Sequence, residues 1–531
     1  MHAISHIPLA QTHAFSKLVI DYLQAEPSLQ PFYSFPVSQD GLWQSLQARQ
    51  QKPINRELLF TALESQYKNV PANPATEHSL QLLLKDHCFT ITTAHQPNIA
   101  TGLLYFFYKI AHCIALAKAC KQWFPAYEFV PVYYMGSEDA DLAELGVFTV
   151  QGKKYTWQTN QKGAVGRMTV DAALLDILEQ LYGQLGVLPF GVQVQAALRQ
   201  CFTIGTTIQQ ATFALVHTIF GAEGLVTLVP DNATLKSVFL PIAEKEIQEG
   251  FSQKLVEQTT ALLAQNYKQQ ASGREINLFY LQGDARERIE RIGEHFVVQK
   301  LGLVFTQTQL LQHLREHPQT ISPNVILRGV FQETILPNIA FVGGGGELAY
   351  WLQLKAVFEA SDTHFPVLVL RNSWLQITQR QQEKLAKLNA SLPQLFLGKQ
   401  AFTQWYMQTH TQQLFDISEN IAQLEQVYAK LAEQATLVDT TLLPHVQALK
   451  TKALAKLYQV QKKMYRAEKR NHQEALNHIE NLLNELFPSG QLQERVESGL
   501  YWWAVLGEQW VKLLVHQSVP LPDALCVATH P

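Results

Sequence analysis

The sequence predicts an α/β protein with three parts: a Rossmann-like parallel sheet, two insertions that interrupt it, and a C-terminal antiparallel α-helical coiled coil. Three observations carry this. Short β-branched runs alternate with helix-length apolar segments between Cys88 and Leu370, the pattern of a parallel sheet with helices on its faces. Those runs lie far apart along the chain, so other material stands between them. From Gln412 to Glu485 glycine and proline become rare. There Ile417, Ile421, Leu424, Tyr428 and Leu431 repeat at the spacing of a coiled-coil seam.

Composition bounds the rest. A chain of 531 residues exceeds a single hydrophobic core, and 47% hydrophobic with 16% charged content is that of an ordinary globular protein. A net charge of −3 argues against holding long nucleic acid by counterion release. The most apolar stretch, Leu103 to Cys120, is interrupted by Lys109, His112 and Lys118, so no membrane span is expected. The opening "MHAISHIPLAQTHAF" lacks a basic region followed by an apolar one, and is read as no signal peptide. The 5 scattered cysteines form no CxxC pair; reduced thiols in a cytoplasm are expected.

The elements follow in order. Residues 1–147 are the first part of the core: helices Phe15–Gln24 and Arg56–Tyr67, strand Cys88–Thr93, helix Leu103–Trp123 and strand Phe129–Met135. Residues 148–219 are the first insertion, a hairpin-like "FTVQGKKYTWQ" followed by helices. The core resumes over 220–272 with "GLVTLV", ending at Pro230-Asp231. Residues 273–322 are the second insertion, with a short strand "INLFYL" and a charged helix "DARERIERIGEHF". The last strands, "NIAFV" and "FPVLVL", fall within 323–400. The coiled coil occupies 401–486. Pro444 should begin its second arm, and the seam buries by self-packing and dimerisation. In 487–531 a Pro-Ser-Gly break precedes the aromatic "GLYWWAVLGEQW", which should fold back onto the core.

Ligands of open α/β sheets bind beyond the carboxyl ends of the strands, and polar clusters stand at four such ends. After the first comes His95-Gln96-Pro97. Pro97 biases Gln96 toward extended geometry, and Thr101-Gly102 opens a helix whose N-terminus favours a phosphate. The plainer reading is a histidine that satisfies a loop carbonyl. After the next strand, Glu138, Asp139 and Asp141 crowd together in "GSEDADLAEL". Such carboxylates call for a substrate ammonium or magnesium between them, or else decorate a helix N-terminus. Gly343, Gly344, Gly345 and Gly346 let the backbone approach a ligand closely, without the lysine of a Walker loop or a GxGxxG spacing. Glu347, Trp351 and Lys355 follow at near-helical spacing, with core packing the alternative for Trp351. Arg371, Asn372 and Ser373 in "LRNSW" offer donors for phosphate or carboxylate, or a helix cap. Asp231 marks one further strand end.

The stretches "TTAHQPNIATGLLYFFYKI", "YYMGSEDADLAEL", "SPNVILRGVFQETILPNIAFVGGGGELAYWLQLK", "PVLVLRNS" and "LFPSGQLQERV" resemble the bacillithiol biosynthesis cysteine-adding enzymes, the cysteine ligases. The resemblance runs in order along most of the chain and is weakest in the two insertions. It implies a Rossmann-like core similar to class I aminoacyl-tRNA synthetases, two connecting-peptide insertions, and a homodimer formed through the coiled coil. The implied reaction is ATP-dependent addition of L-cysteine to the amine of glucosaminyl-malate. Under it His95, Gln96, Glu138, Asp139 and Asp141 would be catalytic, and Thr101, Gly102, Asp231, Glu347, Trp351 and Lys355 would meet substrate. A nucleotide, ATP or ADP, would lie at Gly343–Gly346 and at Arg371, Asn372 and Ser373, beside Glu494, Arg495 and Tyr501 of "LQERVESGLYW". Two departures stand out: Ala140 occupies a position where many members carry histidine, and the glycine loop lacks a common proline. A non-catalytic dimeric nucleotide-binding scaffold and an adenylyl- or nucleotidyltransferase are the other readings.

Overall fold

A computed structural model describes residues 3–411 and 416–531; residues 412–415, the start of the stretch poor in glycine and proline, lie outside them. The chain forms two compact units, one of Ser5–Leu375 with Gln491–Val527, the other of Met1–Ile4, Gln376–Gly490 and Ala528–Pro531.

The first unit is built on strands β1 (Cys88–His95), β2 (Glu128–Met135) and β3 (Val226–Leu228), a hairpin β4 (Leu278–Gln282) and β5 (Ala285–Arg288), and strands β6 (Asn338–Gly343) and β7 (Val367–Leu370). The sheet order β7-β6-β1-β2-β3 is parallel throughout. Its strands read as near-continuous apolar or threonine runs because both faces are covered. Beneath the sheet Leu42, Leu46, Ile91, Cys113, Val342 and Val369 form one apolar cluster. Helix α1 (Tyr105–Trp123) is buried almost all round, which is why it lacks a polar face. It begins later than its composition predicts. Asn98–Gly102 instead make a turn in which Ala100, Thr101 and Gly102 all take positive φ. The first insertion is the expected hairpin, Val147–Val150 with Lys153–Thr156, followed by three helices.

The second insertion differs from expectation. "DARERIERIGEHF" forms strands, Ala285–Arg288, Glu290–Ile292 and His295–Val298, with turns at Gly283 and Gly293. Its charges alternate with period 2, so Arg286 and Arg288 share one strand face. Its only apolar residues before Phe296, Ala285 aside, are Ile289 and Ile292, too few for a buried helical stripe. The aromatic tail makes two helices, Leu500–Leu506 and Glu508–Gln517, broken at Gly507, and Trp510 packs 5.1 Å from the Phe107 ring of α1.

Further along the chain come α2 (Val325–Ile335) and α3 (Gly345–Trp351) of the first unit, then α4 (Ser418–Val438) and α5 (Leu443–Asn471) of the second. Pro444 sits in the first turn of α5, where a missing N–H costs no helical hydrogen bond. The two arms run antiparallel, with Glu425 and Lys450 paired at 3.0 Å. Ile421, Leu424 and Tyr428 are half-buried against the other arm, whereas Leu431 is 44% exposed.

Candidate functional site

At the carboxyl edge of the sheet lies a cavity of about 700 Å³ within the first unit. The ends of β1, β2, β6 and β7 deliver His95 and Gln96, Asp139, Gly344–Gly346 with Glu347, and Arg371 to its wall. Residues separated by hundreds of positions in sequence thus meet around one space. The hairpin β4–β5 adds Phe279, Arg286 and Arg288, while α2 adds Arg328.

Charge dominates this cavity. Lys109 and six arginines line it against two carboxylates, Asp139 and Glu347. Arg328 grips Asp139 with both terminal nitrogens, one at 2.9 Å, and Arg286 stands 3.7 Å away. Burial alone would raise the Asp139 carboxyl; the Arg328 and Arg286 charges, with hydrogen bonds from Arg328 and Gln96, outweigh it and hold it below the usual range. Lys109 is fully buried on α1. Its ammonium donates to Ala94 O at 2.5 Å and pairs with Glu347 at 2.6 Å, yet burial still lowers its pKa. Arg371 pairs with buried Glu494 at 2.7 Å and lies over the Tyr105 ring at 5.1 Å.

His95 is pushed well below its ordinary pKa, first by burial, then by the Lys109 and Arg371 charges. Its ring is therefore neutral near pH 7, and Nε2 has no hydrogen-bond partner among the described residues. A buried, unsatisfied imidazole nitrogen at a cavity wall is a group held ready for a ligand.

Other expected site residues lie elsewhere. Glu138 is ion-paired with fully buried Lys236 and accepts a hydrogen bond from Ser322 Oγ at 2.8 Å. Asp141 accepts from Glu144 N at 3.1 Å as a helix cap. With Asp139 held by arginines, the three carboxylates diverge, because each has a different partner. They do not fit a magnesium ion, and among the described residues no cluster of three metal-ligating groups occurs. Asp231 is bound by Arg167 and Lys236, which take its carboxyl down to about 2 against burial; it lines a separate cavity beside the first insertion.

Thr101 is buried outside the cavity lining, and Gly102 carries a φ of 64° that a side chain rarely adopts. The expected phosphate-binding helix start is replaced by this tight turn. Trp351 stacks on Phe341 at 4.5 Å in the core, and Lys355 Nζ donates to Pro31 O at 3.2 Å. Gly343 is buried in β6, and Gly344 N–H donates to Glu347 Oε2 at 2.8 Å.

Asn372 and Ser373 support the cavity without lining it. Asn372 exchanges hydrogen bonds with the Val519 backbone, and its N–H donates to His112 Nδ1 at 3.1 Å. Ser373 Oγ and Trp374 N–H donate to Glu494. Of the "LQERVESGLYW" residues Arg495 lines the cavity, Glu494 holds Arg371, and Tyr501 packs on Trp502. Ala140 is exposed and off the wall. Cys113 is buried, its thiol pushed up to about 12, and is unsuited to nucleophilic work.

Sequence reasoning missed Lys109, Tyr105, Arg286, Arg288 and Arg328. Two signals were present: Lys109 stands within the apolar "LLYFFYKIA", and Arg328 interrupts the apolar "NVILRGVF".

Comparison with known proteins now adds the family. Residues 2–372 match the N-terminal Rossmann-like domain of bacillithiol biosynthesis BshC, and residues 374–524 match its C-terminal coiled-coil domain. A protein of Cytophaga hutchinsonii named "Putative cysteine ligase BshC" is 37% identical over 93% of both chains. One of the same name from Flavobacterium psychrophilum is 35% identical over 97% of both. A solved structure from Campylobacter jejuni titled "putative arginyl t-RNA synthetase" covers 88% of this chain at 11% identity, but its TM-score of 0.22 carries no argument. This chain belongs to the BshC family of bacillithiol biosynthesis.

Proposed function

We propose that this member of the family is a cysteine ligase that joins L-cysteine to the amine of glucosaminyl-malate, using ATP to activate the cysteine carboxyl. The observation that carries the reading is the cation-rich cavity at the strand ends, where neutral His95 meets Lys109 and Arg371. A carboxylate and an amine do not condense in water unaided. A carboxylate oxygen of cysteine attacks a phosphorus of ATP: attack at the α-phosphorus expels pyrophosphate and leaves an acyl-adenylate, and attack at the γ-phosphorus expels ADP and leaves an acyl-phosphate. The amine then attacks the acyl carbon, expels the nucleotide or phosphate, and releases a proton.

Each step concentrates negative charge on phosphoryl oxygens, which preorganised cations stabilise in a partly dry site. Arg371 and Lys109 supply that field. His95, uncharged between two cations, contributes a neutral nitrogen to the same group. The Asp139–Arg328 pair fixes Gln96 at the end of β1. Positioning of the two reactants supplies much of the remaining acceleration.

Purified protein incubated with cysteine, glucosaminyl-malate and ATP should form bacillithiol with stoichiometric nucleotide turnover. AMP as product marks an acyl-adenylate and ADP an acyl-phosphate. Pyrophosphate exchange that ignores cysteine would point to a nucleotidyltransferase instead, and absence of both product and exchange would reject an enzymatic role with these substrates.

A further inference from the structure

The cations of the cavity fall into two classes. Lys109 and Arg371 each pair with a carboxylate, Glu347 and Glu494, and Arg328 and Arg286 share that of Asp139, whereas Arg274 and Arg288 have no ion pair or side-chain hydrogen bond among the described residues. Both belong to the second insertion. Both also line a smaller cavity of about 330 Å³, so they stand at the junction of the two spaces.

Both side chains are exposed, on backbone that is hydrogen-bonded in place. Arg288 pairs directly across the hairpin from Phe279, whose ring lies 4.0 Å from the Arg286 guanidinium. Arg274 precedes the hairpin on a loop clamped by buried Asn277. Asn277 Oδ1 accepts from Arg274 N at 3.1 Å, and its Nδ2 donates to Arg274 O at 2.8 Å and to Ser252 Oγ at 2.7 Å. Buried Glu246 accepts from Asn277 N at 2.9 Å. A few residues earlier, buried Gln353 bonds both the N–H and the C=O of Ala271, at 2.9 and 3.0 Å. The loop backbone is thus held at two points while the Arg274 side chain is left unpaired.

From this arrangement we infer that Arg274 and Arg288 form the subsite for the dicarboxylate end of the acceptor, one guanidinium fork for each carboxylate. The inference rests on the ligase reading and assigns the insertion its part in it. Guanidinium–carboxylate recognition is bidentate and planar, so two forks at one junction select a diacid over a single charge. Phosphate has a separate place beside Arg371, Lys109 and His95. A third guanidinium of the wall without an ion pair among the described residues, Arg495, belongs to the C-terminal segment rather than to the insertion, and its charge opposes the burial that raises the Tyr105 hydroxyl.

The test is a binding and kinetic comparison of the full-length chain with R274Q/R288Q, and with R288K as a milder variant. Calorimetry would use glucosaminyl-malate, a malate-free methyl glucosaminide, and ATP. The expected result is a loss of at least tenfold in affinity for glucosaminyl-malate relative to the methyl glucosaminide, with ATP affinity retained and R288K intermediate. KM for glucosaminyl-malate should rise more than kcat falls. A comparable loss for ATP would assign the arginines to phosphate, and equal losses for both sugars would remove malate selectivity; either overturns the inference. Binding is read without turnover. A protein that binds glucosaminyl-malate through these arginines but makes no product therefore refutes the ligase reading alone. Circular-dichroism melts of the variants confirm that they are folded.

Discussion

His95 concentrates the chemical argument at the scale of one residue. Its ring is neutral because burial and two neighbouring cations all oppose a further positive charge. It therefore does not titrate above pH 6.5, and kcat/KM should show no histidine-type inflection between about pH 6.5 and 8. Replacing it with asparagine keeps a polar group of similar reach but removes the imidazole nitrogen. His95→Asn should lower the rate of bacillithiol formation by about 10²-fold or more, the usual scale for a group acting on the reacting atoms, while the variant still melts cooperatively, since Nε2 has no partner among the described residues and the loss is confined to ring packing on Tyr105 and Phe106. A variant of near wild-type rate would remove His95 from the mechanism.

At the scale of elements, α2 shows why some of this protein was legible and some was not. One side of the helix sends Arg328 to the cavity; another buries Glu333, whose Oε1 accepts hydrogen bonds from Gln332 and Asn338, both at 2.8 Å, while Oε2 has no hydrogen-bond partner among the described residues. Burial raises the Glu333 carboxyl from 4.5 to about 7, against the hydrogen bonds and the Arg49 charge. Between those values the folded chain keeps a proton that the unfolded chain has released, so stability falls as pH rises through the window. The loss is on the order of 1–3 kcal/mol. Glu333→Gln should flatten that part of the stability profile in urea melts at pH 5 and 8, and an unchanged slope would show that another group carries it. The core strands and α1 could be read from sequence because runs buried on both sides carry a strong apolar signal. Strand-end position then sufficed to place His95, Gln96, Asp139, Glu347 and Arg371 on one edge. It did not give side-chain direction: Glu138 and Asp231 were already claimed by Lys236, a partner distant in sequence from Glu138. The hairpin arginines were missed for a related reason. In a strand alternating with acids they look like a solvated helix face until the turns at Gly283 and Gly293 are known.

At the scale of the whole molecule the question is what completes the coiled coil. Neither α4 nor α5 has a single buried residue, although they run to 21 and 29 residues. Their mutual seam leaves a second apolar stripe in solvent: Val427 and Leu431 on α4, and Leu449, Val460 and Met464 on α5, between 38% and 53% exposed. The i, i+4 spacing of Val427 with Leu431, and of Val460 with Met464, keeps each pair on one face. A hairpin so thinly covered gains most by pairing with a second copy, and a stable interface needs at least about 1,200 Å² of total buried surface, which helices of this length can supply. The wild-type chain should therefore be a dimer by light scattering, and Val427→Glu with Leu431→Glu should make it a monomer while helicity is largely kept. Charges at Ile421 and Leu424 act differently: these residues face the partner arm, so the hairpin itself should lose helicity by circular dichroism. Because every residue lining the cavity belongs to the other compact unit, the Val427/Leu431 monomer should still add cysteine to the acceptor. A dimer that survives both substitutions would place its contact elsewhere, and a monomer that loses all activity while keeping its fold would mean that the cavity is incomplete without its second copy.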